Sequence, residues 1–495
     1  MSPKPKLSFD NSYAKLPERF YTRQLPDPVA SPGSIRVNHI LADYLGIDPD
    51  WLASEQGVAF IAGNYIPEGA DPIATVYAGH QFGGWNPQLG DGRAVLMGEV
   101  IAEDGIRYDI QLKGSGRTPY SRGGDGRAPL GPVLREYVLS EAMATLGVPT
   151  SRALGAVTSG EKVMRDGRIP GAVLARVALS HIRIGTIQYF AAQQDYASLK
   201  TLTDYVIQRH FPQAVQAASP VRALLDGVVA RQASLIAKWQ LLGFIHGVMN
   251  TDNMLLSGET IDYGPCAFMD EFEPGKVFSS IDQGGRYAYR NQPHITHWNL
   301  SVLAQALMPL LDDDQDKALA AGQAAIDVFP DLYQSDYQGG MLKKLGLAGS
   351  IEGDVALIQD LLTLMHKQQT DFTLTFRHLA DLVDPGNASG GGVGSLIELP
   401  TAFEPWLARW QQRLSNDPQS ASTRQAGMYA ANPAFIPRNH LLEEAIETAT
   451  LNGDFGPFHA LVDVLAKPYE YEPALSRYAL PPRPGQQVMQ TFCGT

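Results

Sequence analysis

The stretch HGVMNTDNMLLSGETIDYG, His246 to Gly264, decides the fold. It carries Asp252, Asn253 and Asp262 in loops around two short apolar runs, MLL and TID, which bracket Ser257-Gly258 and predict a short hairpin. The two ends of a hairpin are close in space, so Asn253 and Asp262, nine residues apart, can reach one ion. Asn and Asp oxygens are the hard ligands that Mg²⁺ prefers, and Mg²⁺ usually combines few protein ligands with phosphate oxygens. Upstream, apolar residues at 221, 224, 225, 228, 229, 235, 236 and 239 recur at helical spacing, so a helix over Val221 to Trp239 runs into this loop.

The chain before that helix has a different character. RAVLMGEV, from Arg93, and RYDIQLK, from Arg107, read as two strands joined through an Asp-Gly turn within Ala102 to Gly105. In the second strand Tyr108, Ile110 and Leu112 share one face, and Asp109, Gln111 and Lys113 the other. After a Gly-rich loop, a helix is predicted from about Val133, with Pro132 at its start and Gly147 and Pro149 closing it; Glu136 lies beside its apolar stripe. A second hairpin is predicted from Lys162 to Val177 over Asp166-Gly167. Residues 1–70 offer one helix, near Ile35 to Tyr44. From about Trp298 onward helical patterns dominate, and GNASGGGVGS, from Gly386, reads as a flexible loop.

A strand Lys, a helix Glu, a loop ending in Asn, and Asp-x-Gly follow one another in protein-kinase-like enzymes. Here they are Lys113, Glu136, Asn253 and Asp262-Tyr263-Gly264. The expected fold is therefore α+β and protein-kinase-like, with a small β-rich N-lobe and a large helical C-lobe. One departure bears on the chemistry. The kinase catalytic Asp stands five residues before the Asn, and that position is Val248, which cannot accept a proton. Asp252 is the nearest substitute. The chain contains no G-x-x-x-x-G-K-[ST], H-E-x-x-H or G-x-S-x-G.

The chain has 495 residues with 39 Lys+Arg against 52 Asp+Glu, a net charge of −13. Such an average disfavours nucleic acid and anionic membrane as partners. Two basic islands interrupt it. Arg107 to Arg135 holds six cations and two acids, +4, and Arg165 to Arg183 four cations and one acid, +3. Arginines among glycines suit a polyphosphate ligand. No apolar run approaches the roughly 18 residues of a membrane span, and the start MSPKPKLSFDNSY shows no apolar signal region. Two cysteines, Cys266 and Cys493, fit a reducing compartment, so a cytoplasmic protein is expected. His294 and His297 read as helix-start residues rather than metal ligands, and Tyr287, Tyr289 and Trp298 as core.

These motifs, with YAGHQFGGWNPQLGDGRA, QLKGSGRTPYSRGGDGRAPLGPVLREY and SHIRIGTIQYF, closely resemble the selenoprotein O family across nearly the whole chain, the Cys-Gly-Thr end included. The resemblance implies a pseudokinase-like protein adenylyltransferase. It implies ATP bound in flipped orientation, so that AMP passes to Ser, Thr or Tyr hydroxyls of proteins and pyrophosphate leaves. It further implies that Lys113 contacts phosphates and pairs with Glu136, that Gly90, Gly92 and Arg93 belong to a nucleotide-covering loop, and that Asp125 and Gly126 touch the nucleotide. Arg176 and Arg183 would bind the turned-in phosphates, Asp252 accept the proton, and Asn253 and Asp262 hold Mg²⁺ or Mn²⁺. A redox role for Cys266 and Cys493, as a bridge restraining the loop after Asp262, is also implied. The expected organisation is an N-terminal nucleotide-binding lobe over 1–175, a C-lobe with the catalytic and metal-binding loops over 176–385, and a helical extension over 386–495, in a monomer. Two rivals stand beside this reading: a small-molecule phosphotransferase and a non-catalytic nucleotide-binding module.

Overall fold

The computed structural model describes residues 7–165, 167–384, 392–394 and 396–492. The fold is mixed α+β, an antiparallel sheet followed by a large helical part. The sheet runs in the order Tyr21–Arg23, Ile73–Thr75, Ala94–Ile101, Arg107–Lys113, Arg168–Ala178, Arg152–Met164, Gly33–Val37, with Ala128–Pro129 paired to Arg168–Ala178 off that path. Both hairpins expected before residue 180 are present. Ala94 faces Lys113 in the first, and Arg168 faces Met164 in the second. Asp166 of the second turn lies outside the described residues.

The alternation in Arg107–Lys113 sorts the sheet's two sides. Ile110 and Leu112 join Val95, Val173 and Val177 in a core roofed by Leu41, Trp51 and Phe60. Those roof residues come from the helices His39–Tyr44, Pro49–Ala53 and Glu55–Ala62. The single helix expected from Ile35 is thus a strand, Gly33–Val37, followed by a helix capped at Asn38, whose side chain accepts from Leu41 N. The polar face of Arg107–Lys113 points inward: Asp109, Gln111 and Lys113 are all buried.

The helix bearing Glu136 is Leu130–Thr145, longer at its start than expected. Pro132 therefore sits at its third position, which costs nothing because first-turn N–H groups have no intrahelical partner. Its apolar residues Leu134 and Val138 pack on Ala156 and Leu174 of the sheet, and Tyr137 meets Phe458 edge-on at 5.5 Å. Phe458 belongs to Gly456–Leu465, which with Asn439–Asn452 covers the outer side of the Glu136 helix.

The long helix Pro220–Leu242 ends at Gly243, in the left-handed region at φ +70°. There it delivers Phe244–Ile245, which pairs antiparallel with Ala267–Phe268. This pairing differs from the hairpin expected at Ser257-Gly258. MLL and TID do not pair with each other: Leu255 bridges to Arg183 and Thr260 to Thr150. The stem lies outside the motif, and everything from His246 to Cys266 is the loop that it closes. Among the described residues no helix is long and apolar enough to cross a membrane. GNASGGGVGS lies mostly outside the described residues.

Candidate functional site

A cleft of about 480 Å³ opens between the sheet and this loop. Its wall includes Gly90, Gly92, Arg93, Lys113, Asp125, Gly126, Glu136, Arg176, Arg183, Asp252, Asn253 and Asp262, every nucleotide- and metal-related position named from the sequence.

Its inner end is a network of buried charge. Lys113 Nζ donates to Glu136 Oε2 at 2.5 Å and to Asp262 Oδ1 at 2.7 Å. Arg176 Nη1 donates to the same Asp262 oxygen at 2.8 Å and to Glu136 Oε1 at 3.2 Å, while its Nε is held by Gln111 Oε1 at 2.8 Å. Arg183 Nη1 lies 3.7 Å from Asp262 Oδ2 and donates to the Asp252 carbonyl at 2.9 Å. Burial works to raise the pKa of Asp262, but Lys113, Arg176 and Arg183 overcome it and hold the carboxyl well below its ordinary value. An ionised carboxylate on a loop in the left-handed region, φ +62°, is thus presented to the cleft.

His246 fixes the loop. It stacks on Trp239, its Nδ1 accepts from Val248 N at 3.3 Å, and its Nε2 donates to Ile261 O at 2.8 Å. This ties the Val248 end to the Asp262 end. Burial lowers the His246 pKa, consistent with the neutral tautomer these bonds require. Asn253 donates through Nδ2 to Val248 O at 3.0 Å, which leaves its carbonyl oxygen as the donor atom for a cation. Asn253 and ionised Asp262, with phosphate oxygens, make a hard-oxygen set that fits Mg²⁺. Among the described residues no cluster of three His, Cys, Asp or Glu side chains stands ready for a metal.

Asp252 differs from Asp262. It is buried, its Oδ2 accepts from Gln81 Nε2 at 3.0 Å, and its Oδ1 has no hydrogen-bond partner. Desolvation raises its pKa to about 6, with Gln81 and Arg183 opposing the rise. Valine at 248 and Asp252 both line the cleft, and the unbonded Oδ1 of Asp252 is buried against Gly79.

The glycines play a packing role that their sequence did not show. A Cβ on Gly90 would lie 2.4 Å from Tyr120 Cγ, and one on Gly92 2.7 Å from Tyr120 O. They let the covering loop close on the Tyr120 turn. Asp125 is engaged by Arg165, at 2.9 and 3.1 Å, and this contact holds its carboxyl below the ordinary value. The basic islands split. Arg122, Arg127 and Arg165 line the cleft, whereas Arg107 pairs with Glu99 and Asp10, and Arg135 with Glu443. Cys266 is buried, and its carbonyl accepts from Arg135; Cys493 lies outside the described residues.

Sequence reasoning missed Asp91 and Tyr77. Asp91 accepts from Thr75 N and Oγ1 at 3.0 and 2.6 Å and stands 3.6 Å from Arg183 Nη2. The Tyr77 ring lies 4.3 Å from the Arg183 guanidinium carbon. The G-D-G spacing around Asp91 was the available signal.

The sequence matches the family model described as "Protein adenylyltransferase SelO" over residues 3–466. It is 58% identical over 487 residues to a protein of Rhodopseudomonas palustris (strain BisB18) named "Protein nucleotidyltransferase YdiU", covering 98% of this chain and 99% of that one. A Rhizobium etli protein of the same name is 56% identical over 493 residues, covering 100% of this chain and 98% of its own. With the cationic cleft described above, these likenesses define a nucleotidyltransferase. The chain belongs to the SelO family of adenylyltransferases, as its motifs led us to expect.

Proposed function

We propose that this chain transfers AMP from ATP to Ser, Thr or Tyr hydroxyls of proteins, in a kinase-like two-lobed frame with ATP flipped so that its phosphates point inward. The observation that carries the reading is the contrast between Val248 and Asp252. The kinase base position is apolar, while the carboxylate beside the metal-ligand Asn has an unengaged oxygen and a pKa of about 6, suited to taking a proton near neutral pH. Arg176 and Arg183, at the inner end of the cleft, support inward-pointing phosphates. Two further readings from the sequence belong to the proposal: the division into 1–175, 176–385 and 386–495, with the strand Arg168–Ala178 crossing the first boundary, and a cytoplasmic monomer.

The chemistry runs as follows. The substrate oxygen forms a bond to the α-phosphorus, the bridging bond to the β-phosphate breaks, and pyrophosphate departs with that electron pair. The hydroxyl proton passes to the Asp252 carboxylate. Lys113, Arg176 and Arg183 offset charge gathering on the phosphate oxygens. Asn253 and Asp262 would hold Mg²⁺ or Mn²⁺, which when bound neutralises phosphate charge.

Incubation with ATP labelled at the α or the γ phosphate tests this. Label on protein from the α position is expected. Transfer of γ label alone, to protein or small molecule, overturns the reading in favour of a phosphotransferase, and nucleotide binding without transfer overturns it in favour of a binding module.

A further inference from the structure

We propose that Arg286, with the apolar residues beside it, recognises the protein substrate by binding a carboxylate side chain within about two residues of the target hydroxyl. This rests on the role given to Asp252 above.

The short hairpin Gly79–Gln81 with Gly84–Asn86 overhangs Asp252. Three successive residues sew it to the loop: His80 N donates to Thr251 Oγ1 at 2.8 Å, Gln81 Nε2 to Asp252 Oδ2 at 3.0 Å, and Phe82 N to Asn250 Oδ1 at 3.0 Å. The tip, Phe82 and Gly83, turns through positive φ, +53° and +83°. Phe82 is 37% exposed and Ile281 58% exposed, and both line the cleft that holds Asp252. Large exposed apolar groups at the mouth of an active cleft suit a partner that covers them.

Arg286 lies against this tip. Its guanidinium carbon is 3.6 Å from where a Cβ on Gly83 would stand, 4.9 Å from the centre of the Trp298 ring and 5.8 Å from that of Tyr287. The half-buried guanidinium is thus propped on two aromatic rings, and its Nε is buried without a hydrogen-bond partner. Among the described residues no carboxylate lies within ion-pair distance of it. The nearby Asp282 accepts instead from the backbone N–H groups of Arg286 and Tyr287, at 2.9 and 2.8 Å. Arg176 and Arg183, by contrast, are matched: Arg176 with Glu136 and Asp262, Arg183 with Asp91 and Asp262.

A planar, partly desolvated guanidinium without a counter-ion favours a carboxylate, which it can grip with two parallel hydrogen bonds. Arg286 is not part of the cleft wall that holds Lys113, Arg176 and Arg183, so its anion comes from the molecule that brings the hydroxyl. Gln81, which touches Asp252, and Gly83, which lies against Arg286, are two residues apart through the hairpin turn, at most about 7 Å between their Cα atoms. A carboxylate one or two residues from the acceptor hydroxyl spans that distance.

The test uses the full chain, ATP labelled at the α phosphate and Mg²⁺. The substrates are peptides with one acceptor Ser, carrying Glu, Ala or Lys at each position from two before it to two after. We expect Glu to exceed Lys in kcat/KM by about tenfold at one or more positions. Arg286→Gln should flatten that preference and Arg286→Glu invert it, with the KM for ATP unchanged in both. If Arg286→Glu fails to fold, Arg286→Gln decides alone. Equal use of all peptides by the wild-type chain, or an unchanged preference in the variants, overturns the inference while leaving adenylyl transfer standing. Labelling of intact proteins but of no peptide also overturns it, because a reader of neighbouring residues must accept peptides. Absence of α label on any protein or peptide overturns the proposed function itself.

Discussion

Arg176 Nη1 donates to Asp262 Oδ1 at 2.8 Å, joining the middle of the sheet to the loop His246–Cys266. The same nitrogen reaches Glu136, so one guanidinium holds two carboxylates that arrive from a helix and a loop. Arg176→Gln leaves both acids to Lys113 and Arg183. We expect kcat/KM for adenylyl transfer to fall roughly 10²–10³-fold. Stability should drop by about 3 kcal/mol, since a buried pair is being broken rather than replaced. Kinetics and chemical denaturation read the two effects separately.

If Asp252 accepts the proton as proposed, its titration sets the pH dependence. Transfer requires its ionised form, so kcat/KM rises with pH through about 6 and levels above it. The folded pKa lies above the unfolded value of about 3.9, so the folded state binds this proton more tightly. Its contribution to stability therefore falls as pH climbs from about 4 to about 6 and stays constant above. Asp252→Asn removes the ionisation. We expect activity to fall by roughly 10²–10⁴-fold, and stability at pH 7 to rise by roughly 2 kcal/mol. A variant at least as active as the wild type would refute the assignment.

Asn253 offers its carbonyl oxygen because its amide nitrogen is committed to Val248 O. Asn253→Ala should raise the Mg²⁺ concentration for half-maximal activity by at least about tenfold. Chelation of divalent ions should abolish transfer by the wild-type chain, and Mg²⁺ or Mn²⁺ should restore it. A titration of activity against free metal checks both.

Gly92 makes room for backbone. A methyl group there would meet Tyr120 O at 2.7 Å and Ser121 Cα at 3.2 Å, neither of which is a flexible side-chain end. Gly92→Ala should cost roughly 1–3 kcal/mol through overpacking and raise the KM for ATP by displacing Arg93. Thermal unfolding and ATP titration follow the two together.

Phe458 braces the Glu136 helix from its far side, edge-on to Tyr137 and fully buried. Phe458→Ala should destabilise by about 3–5 kcal/mol. It should also lower kcat although the residue lies outside the cleft, because Glu136 loses the support that aims it at Lys113. Unchanged kcat at full occupancy of the folded state would show that the C-terminal helices serve stability alone.

Much of the site was legible because its parts carry local signals. Period-two alternation put Lys113, Gln111 and Asp109 on one face of a strand, and all three side chains point to the same buried side. Helical periodicity over 221–239 located the helix Pro220–Leu242 that feeds the loop. The hairpin inside the motif was misread for a physical reason. Leu255 and Thr260 are strand-like residues flanking a turn, but each found a partner elsewhere, Arg183 and Thr150. The pairing that closes the loop, Phe244–Ile245 with Ala267–Phe268, is only two residues long on each side and has no periodic signature.

Charge followed the same division. Sequence alone determined which cations and acids this protein has and that the cations gather between Arg107 and Arg183. It also determined the order Lys113, Glu136, Asn253, Asp262, because residue type and spacing are properties of the chain. Only the tertiary structure decided that Arg176 and Arg183 meet Asp262 while Arg107 and Arg135 turn to Glu99 and Glu443. It likewise decided that Asp252 is desolvated beneath the Gly79–Asn86 hairpin with one oxygen unengaged. Ion pairing and desolvation depend on which distant segments pack together, and burial raises the pKa of one carboxyl in this loop while three cations lower that of its neighbour.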